Sequence, residues 1–159
     1  AANFDARLWQ LENNLENLDI SRYGSFAKLL EYRRAGVQSF LDDFTEGCQQ
    51  HRYVALENDK LPYPDFKFDF VLVANNFFAD LDYQTVEYHI AKIKDLARVG
   101  KDVRIFPLVD SEGEPSSLLG PIIMGLYQDN FAVEVKDVSY YLQHRGNAML
   151  RVWARECQV

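Results

Sequence analysis

The feature of this sequence that most constrains its fold is an apolar stretch, Phe68–Val73, followed by segments that alternate between helix and strand patterns. Apolar residues on both faces of a strand are typical of a strand buried in a parallel sheet. A helix is predicted from about Tyr83 to Val99, with Asp82 as its N-cap, and a strand over Asp102–Leu108. The sequence therefore predicts an α/β fold in which helices cross between strands.

The same alternation continues towards the C-terminus. A polar loop over Asp110–Ser116 precedes a helix that carries the apolar residues of Leu118–Leu126. Strands are then predicted over Phe131–Val135, whose residues alternate in polarity, and over Met149–Ala154. We expect one sheet that contains these strands.

The N-terminal part is predicted to be mainly helical. Residues 1–20 have an incomplete helical period, and a helix is predicted from Ser25 to Phe44, with Gly47 as its C-terminal stop. A short strand is predicted over Tyr53–Leu56. We therefore expect residues 1–159 to form a single domain, with a helical segment over residues 1–47 and an α/β segment over residues 52–159.

Composition excludes several classes of function. A net charge of −7 over 159 residues argues against binding to nucleic acid or to an anionic membrane surface. Cys48 and Cys157 are too far apart in sequence for a paired-ligand metal site, and the three histidines lack metal-ligand spacing. The two distant cysteines indicate a reduced, cytoplasmic setting. There is no apolar run of about 18 residues and no leader pattern, so we expect neither a membrane span nor a signal peptide.

Polar residues follow two of the predicted strands. Asn75 and Asn76 come after Phe68–Val73, and Glu57, Asn58 and Asp59 come after Tyr53–Leu56. Ligands of open α/β sheets bind outside the carboxyl ends of strands, so these side chains are candidates for ligand contacts. A turn or capping role for the asparagines is equally open, whereas for the Glu57 segment composition alone favours a solvated loop.

The motifs in the middle of the chain carry a resemblance to a known family. Arg52-Tyr53-Val54, Leu61–Asp65 and Phe68–Leu72, followed by a helix, resemble the middle of a class I S-adenosylmethionine-dependent methyltransferase. They are more similar still to a bacterial methyltransferase-like family of unassigned substrate. Further matches to that pattern are Tyr23-Gly24-Ser25-Phe26, Glu87-Tyr88-His89, Arg98-Val99, Val103–Leu108, Tyr140, Gly146-Asn147 and Met149-Leu150-Arg151.

The resemblance implies a Rossmann-like methyltransferase sheet with S-adenosylmethionine as cofactor. By this resemblance, the adenine is held after the third strand, by Glu57, Asn58 and Asp59, and the methyl group faces Ala74 and Asn75 at the end of the fourth. The family has Ser-His where this chain has Ala74-Asn75, and an asparagine cannot transfer a proton by titration. No catalytic residue is therefore assigned.

The substrate is expected to meet residues from two parts of the chain. Asn76 and Phe77 adjoin the methyl-facing position, and Phe77 can line an acceptor pocket. Tyr140, His144 and Asn147 belong to the late loop that matches the family pattern, where this chain departs by having His144-Arg145 before Gly146. His144 is the histidine we expect to meet a substrate, whereas we expect His89 to be a partly buried residue on a helix face.

The resemblance also shows which parts of the family pattern the 159 residues do not contain. The first two strands, the glycine-rich turn and the ribose-binding acid have no counterpart, and no two glycines are separated by a single residue. The sheet is therefore expected to be incomplete. Binding of S-adenosylmethionine to this chain alone is expected to be weak or absent.

Two classes of function follow from these observations. In its complete form the protein is expected to transfer a methyl group to a small-molecule or protein acceptor. Alternatively, the chain is a non-catalytic or split half-domain that acts as a binding or oligomerisation module. Without the first strands, we expect Tyr53–Leu56 to pair directly with Phe68–Val73, or the chain to form a homodimer through that exposed edge.

Overall fold

A computed structural model of the chain describes residues 12, 15–56, 60–74, 77–78 and 85–155. The chain divides into two compact units, Ala1–Glu57 and Asn58–Val159. The first unit contains short 3-10 turns at Leu15–Asn17 and Ser21–Tyr23 and a long helix. In chain order the elements are helix α1 (Phe26–Gln49), strand β1 (Phe68–Ala74), helix α2 (Val86–Val99), strand β2 (Gly100–Phe106), helix α3 (Leu119–Gln128), strand β3 (Phe131–Asp137) and strand β4 (Ala148–Ala154).

Helix α1 begins where the sequence predicts but ends later. Ser25 is its N-cap, and the Ser25 hydroxyl accepts a hydrogen bond from the backbone N–H of Lys28. The predicted stop at Gly47 is wrong, because the helix continues to Gln49. A Cβ atom on Gly47 would lie 2.2 Å from the ring of Tyr53, so glycine is needed here for close packing of that ring.

The strand predicted over Tyr53–Leu56 is not present, since these residues have no regular secondary structure. The Tyr53 hydroxyl donates a 2.6 Å hydrogen bond to Asp43 of α1, and Arg52 donates a 2.8 Å bond to the same carboxylate. The hydrogen bond from Arg52 is the main cause that lowers the pKa of Asp43 to about 2. These contacts hold the start of the segment against α1 instead of in a sheet.

The second unit contains a mixed four-stranded sheet in the order β1-β2-β4-β3. β1 is parallel to β2, while β4 is antiparallel to both of its neighbours, β2 and β3. The α/β class predicted from the alternating pattern is therefore confirmed, and the arrangement is consistent with a Rossmann-like fold.

Helices α2 and α3 both pack on one face of this sheet. Val103 and Ile105 of β2 are fully buried there, together with Leu150 and Val152 of β4. The helices contribute Ile93, Ala97, Ile122 and Leu126 to the same core. None of the helices in the described part of the chain is long and apolar enough to cross a membrane.

Strand β1 is not buried on both faces, which corrects the expectation from its composition. Val71 and Val73 pack against the core, but Phe70 is 58% exposed and Leu72 is 73% exposed. The physical reason is its place in the sheet: β1 is the first strand in the order, and α2 and α3 cover only the face that carries Val71 and Val73. An apolar run alone could not distinguish this edge position from a central one.

The opposite face of the sheet carries a charge cluster. The buried Asp102 carboxylate accepts hydrogen bonds from Arg104 and from Arg151 on the neighbouring strand. Burial by itself would raise the pKa of Asp102, but the bonds from the two arginines outweigh it, so the pKa is lowered. Each guanidinium also lies over an aromatic ring, Arg104 over Phe70 and Arg151 over Trp153.

The bounds of α2 and β2 also differ from those predicted. Helix α2 begins at Val86, and its N-cap is Thr85, whose hydroxyl accepts a hydrogen bond from Tyr88 N–H; the predicted cap, Asp82, lies outside the described residues. Strand β2 spans Gly100–Phe106 instead of the predicted Asp102–Leu108. Pro107 follows through a cis peptide bond and has no N–H to donate to a strand ladder.

Candidate functional site

Three of the four strands finish at the same end of the sheet. β4 is antiparallel to both β2 and β3, and β1 is parallel to β2, so β1, β2 and β3 share one direction. Their last residues, Ala74, Phe106 and Asp137, therefore lie at one end, together with Ala148 at the start of β4. This carboxyl end is where open α/β sheets bind ligands, and it is the candidate functional site.

Several of the residues predicted to form this site lie outside the described residues. These are the adenine candidates Glu57, Asn58 and Asp59 and the amide pair Asn75 and Asn76. Their roles stay predictions. Of the residues beside the amide pair, Ala74 is exposed at the end of β1, and Phe77 is partly buried in a turn that also contains Phe78.

His89 of α2 fixes this turn. Its ring is buried, with Nε2 lying 2.9 Å from the carbonyl oxygen of Phe77 and Nδ1 lying 2.9 Å from that of Thr85. A neutral imidazole donates from only one nitrogen, whereas an imidazolium donates from both, so at least one of these contacts can be a hydrogen bond in either state. The ring also stacks on Phe78, with centroids 5.3 Å apart and planes 4° from parallel.

His89 therefore connects the turn after β1 to the first turn of α2. The expectation of a histidine on a helix face is correct in kind, but the residue is buried more completely than expected, with 2% of its surface exposed. The helical period places His89 beside apolar positions, yet nothing in the local sequence identifies Phe77 as its partner. That contact depends on how the chain returns from β1 to α2.

Two loops meet at the carboxyl end of β2. In the first, Asp110 Oδ1 accepts hydrogen bonds from the backbone N–H groups of Glu112 and Glu114, which form a compact polar turn. The second loop connects β3 to β4, and its Arg145 forms an ion pair with Glu114. Gly113 has a φ of 83° and lies against Gln143, so a small residue with left-handed backbone is required at this contact.

The late-loop substrate candidates lie in the second of these loops. The Tyr140 ring is 6.3 Å from the ring of Phe106 at the end of β2. His144 is exposed, and Asn147 is partly buried, with its backbone carbonyl accepting a 2.7 Å hydrogen bond from Val138 N–H. The fold thus brings Tyr140, His144 and Asn147 to the same end of the sheet as Ala74 and Phe77, although far along the sequence from them.

The segment that leads into β1, Leu61-Pro62-Tyr63-Pro64-Asp65, is held by two side chains of α2. Arg98 donates hydrogen bonds to the carbonyls of Leu61 (2.9 Å) and Tyr63 (2.7 Å), and it pairs with the carboxylates of Asp65 (3.0 Å) and Asp95 (2.9 Å). The Asp95 carboxylate also accepts a 2.6 Å bond from Leu61 N–H. Hydrogen bonds to Asp65 and Asp95 raise the pKa of Arg98.

This arrangement explains the proline-bracketed sequence before β1. Pro62 and Pro64 restrict the backbone to extended or turn conformations, and this places the carbonyls of the segment where one guanidinium can reach them. Phe66 then turns with a φ of 55°, and its N–H donates to the carbonyl of Arg98. The sequence analysis named Arg98 only as part of the family pattern and did not single out Asp95; their i, i+3 spacing on a helix was the available signal for this contact.

Among the residues that the structure describes, no group of three or more His, Cys, Asp or Glu side chains is placed to hold a metal ion. His89 is engaged with backbone carbonyls and His144 is exposed in a loop.

Comparison with known protein families finds none that matches this chain. No solved structure matches it either. Among curated proteins, an uncharacterized protein of Methanocaldococcus jannaschii is 23% identical over 118 residues, which are 74% of this chain and 50% of that protein. The chain thus spans about half the length of the curated relative it matches.

Proposed function

We propose that this chain is the later portion of a class I S-adenosylmethionine-dependent methyltransferase, which in its complete form transfers a methyl group to a small-molecule or protein acceptor. The observation that carries the proposal is the common end of β1, β2 and β3, where Ala74 and Phe77 share one end of the sheet with Tyr140, His144 and Asn147. The resemblance to the family predicts that these residues, although far apart in sequence, lie at the same end of the sheet.

The strand order gives a second line of support. β1 corresponds by resemblance to the strand that faces the methyl group, and its outer side is where the family's first strands would pair. Class I methyltransferase sheets also end with an antiparallel strand inserted between two parallel ones, as β4 is inserted between β2 and β3. The order and directions of the four strands therefore agree with the later half of such a sheet.

The described residues fit part of a cofactor site. The side chain of Ala74 is a single methyl group at an exposed strand end, which leaves room for a ligand to approach β1. The polar contacts to the cofactor would come from Glu57, Asn58, Asp59 and Asn75, which lie outside the described residues. The 159 residues contain no pair of glycines separated by one residue, at which the protein backbone could approach the cofactor closely.

Methyl transfer from S-adenosylmethionine to a nucleophilic acceptor requires little general acid–base catalysis. S-adenosylmethionine, when bound, supplies an electrophilic methyl group on its sulfonium sulfur. The protein's contribution to in-line displacement is position and exclusion of water, so an asparagine in place of the family's histidine is compatible with transfer to an acceptor that is already nucleophilic. The aromatic residues Phe77 and Tyr140 would then shape the acceptor pocket.

The second candidate function is a non-catalytic or split half-domain that acts as a binding or oligomerisation module. The lack of a glycine-rich turn in the 159 residues favours it, and so does the open outer edge of β1 in the described sheet. In this alternative, the carboxyl end of the sheet binds only part of a nucleotide or a partner chain. The two candidates differ in whether the cofactor binds a longer form of the chain.

Isothermal titration with S-adenosylmethionine separates these candidates, with adenosine as the control ligand that lacks the methionine portion. The 159-residue chain is expected to bind weakly or not at all, because the turn that contributes many cofactor contacts is missing. If the native protein extends before Ala1, the extended form is expected to bind S-adenosylmethionine more tightly than adenosine.

Micromolar or tighter binding to the 159-residue chain would contradict the expected weakness. An extended form that contains the missing strands, folds cooperatively and still does not bind would contradict the methyltransferase proposal and favour the half-domain. The intact mass of the native protein decides beforehand whether such a form exists.

A further inference from the structure

The connection between β3 and β4 is a loop, Val138–Asn147, whose two ends are tied together. The backbone N–H of Val138 donates a 2.7 Å hydrogen bond to the carbonyl of Asn147. A second bond, of 2.8 Å from the N–H of Gly146 to the carbonyl of Gln143, closes a turn inside the loop. Compact surface loops of about 6–16 residues with adjacent ends are frequently functional.

Little apolar surface holds this loop to the rest of its unit. Every residue of Val138–Asn147 is described, and the only buried one is Gly146, which has no side chain. Tyr140, His144 and Arg145 are exposed. Segments with few buried side chains open at a lower cost in free energy than the core of a domain. The loop can therefore move while the sheet stays folded.

The loop lies over the end of β2. The ring of Tyr140 is 6.3 Å from the ring of Phe106, the last residue of that strand. Gly146 also approaches Pro107, since a Cβ atom on this glycine would lie 3.6 Å from the Cβ of the proline. Because ligands of open α/β sheets bind outside the carboxyl ends of strands, the loop occupies the approach to such a position.

An ion pair joins this loop to the connection between β2 and α3. It is formed by Arg145 and Glu114, whose side chains are 66% and 52% exposed. Beside it, Gln143 lies against Gly113, where a Cβ atom would be 3.2 Å from the amide nitrogen of Gln143. Exposed ion pairs contribute little to stability and are weakened by salt. A contact of this kind can hold a loop and still release it.

We propose that Val138–Asn147 is a lid over the end of β2 that moves about its tied base, and that the ion pair between Glu114 and Arg145 is the latch that favours its closed position. Opening uncovers Phe106 and admits a ligand to the carboxyl end of the sheet. The inference does not depend on the methyltransferase proposal, because it rests on contacts between two loops of one compact unit.

The test is limited proteolysis by chymotrypsin, which cleaves after aromatic residues and so reports access to Tyr140 and Tyr141 in the lid. Glu114→Gln removes one partner of the latch. Glu112→Gln is the matched control, because it makes the same change of charge at an exposed residue of the same turn. Cleavage sites are read from the masses of the fragments, with cleavage after Trp153 of β4 as the internal reference.

Cleavage after Tyr140 and Tyr141 is expected to be about two- to fivefold faster in Glu114→Gln than in the unmodified chain, as the strength of exposed ion pairs dictates. Arg145→Gln should give the same increase, and the double variant no further increase. An ionic strength of about 1 M, at which the Debye length is about 3 Å, should accelerate cleavage of the unmodified chain but not of Glu114→Gln. These rates are corrected for the effect of salt on the protease with a peptide substrate.

Nuclear Overhauser effects between the rings of Phe106 and Tyr140 report the position of the lid itself. They should weaken in Glu114→Gln and stay unchanged in Glu112→Gln. A change limited to the freed Arg145 side chain would leave them unaltered, so this measurement separates movement of the lid from a local effect at the ion pair.

Three results would overturn the inference. One is cleavage after Tyr140 and Tyr141 that is no faster in Glu114→Gln than in Glu112→Gln. Another is an equal increase in cleavage after Trp153, because unfolding of the whole unit would then explain access to the loop. The third is an unchanged ring contact between Phe106 and Tyr140 in Glu114→Gln, which would mean that the ion pair does not set the position of the loop.

Discussion

Replacement of His89 by phenylalanine tests whether the turn after β1 is held by hydrogen bonding or only by packing. Phenylalanine keeps an aromatic ring at a position where the histidine ring stacks on Phe78 with 5.3 Å between centroids. It removes both ring nitrogens, which lie 2.9 Å from the carbonyl oxygens of Phe77 and Thr85. The substitution therefore separates the two contributions.

The expected loss follows from the groups left without a donor. The Thr85 carbonyl also accepts the backbone N–H of His89, so it keeps a partner in the variant. The Phe77 carbonyl loses its part-buried contact with Nε2, and the loss of one hydrogen bond costs about 0.5–1.5 kcal/mol, rising to about 1–3 kcal/mol where the oxygen finds no other donor. His89→Ala additionally removes the ring and leaves a cavity, so its expected loss is about 2–5 kcal/mol.

The assay is urea unfolding at one fixed protein concentration, because association would shift the apparent stability. His144→Phe is the matched control: it makes the same chemical change at an exposed histidine, where the expected effect is within about 0.5 kcal/mol. Hydrogen exchange at the Phe77 and Phe78 amides gives a local readout and should be faster in His89→Phe than in His144→Phe.

A His89→Phe variant as stable as His144→Phe, with unchanged exchange at Phe77 and Phe78, would refute this reasoning. The turn would then be held by packing against the core alone, and His89 would contribute as a ring of suitable size. A loss in His89→Phe equal to that in His89→Ala would also contradict the reasoning, since it would mean that the ring contributes nothing to packing.

Two further predictions concern the amide pair and the charge cluster. In an extended form of the protein, Asn76→Ala is expected to weaken ligand binding by about 0.5–1.5 kcal/mol, because one hydrogen bond is lost, and to lower stability by less. A lower melting temperature with unchanged binding would instead indicate that Asn76 only caps the end of the strand. Asp102→Asn is expected to cost about 1–3 kcal/mol at neutral pH, because Arg104 and Arg151 lose their shared carboxylate. The folded-state pKa of Asp102 is lowered, so its contribution to stability is fully present above the ordinary carboxyl pKa of about 3.9 and is lost as the pH falls through the lower folded value. The urea midpoints of the unmodified protein and Asp102→Asn should therefore converge only in strong acid. A difference in midpoint that persists in strong acid would contradict a stabilising role for the Asp102 carboxylate.

Local patterns in the sequence predicted most of the regular elements. The start of α1 was predicted within one residue, at its N-cap Ser25, and the strands near Phe131 and Met149 were predicted within a few residues of their observed bounds. These signals are local, because capping and side-chain alternation depend on residues only a few positions apart. The α/β class follows from their order along the chain.

Local patterns failed where a residue's role depends on a distant partner. Gly47 resembles a helix stop, but its place in α1 is explained by the Tyr53 ring that packs on it. Tyr53–Leu56 has the composition of a strand, yet the bond to Asp43 holds Tyr53 against the helix. In both cases a tertiary contact outweighs a weak local preference.

For the candidate site, the sequence by itself identified residue types and their place after predicted strands. It placed Ala74 and Phe77 at or just after the end of an apolar strand, because strand length and the start of a turn depend on neighbouring residues; in the structure Ala74 is the last residue of β1. Only the tertiary structure decided that β1 is the outermost strand of the described sheet, that His89 contacts the turn after it, and that Tyr140 lies near the end of β2. The physical reason is that strand order and direction join segments far apart in the chain, and no local pattern carries that information.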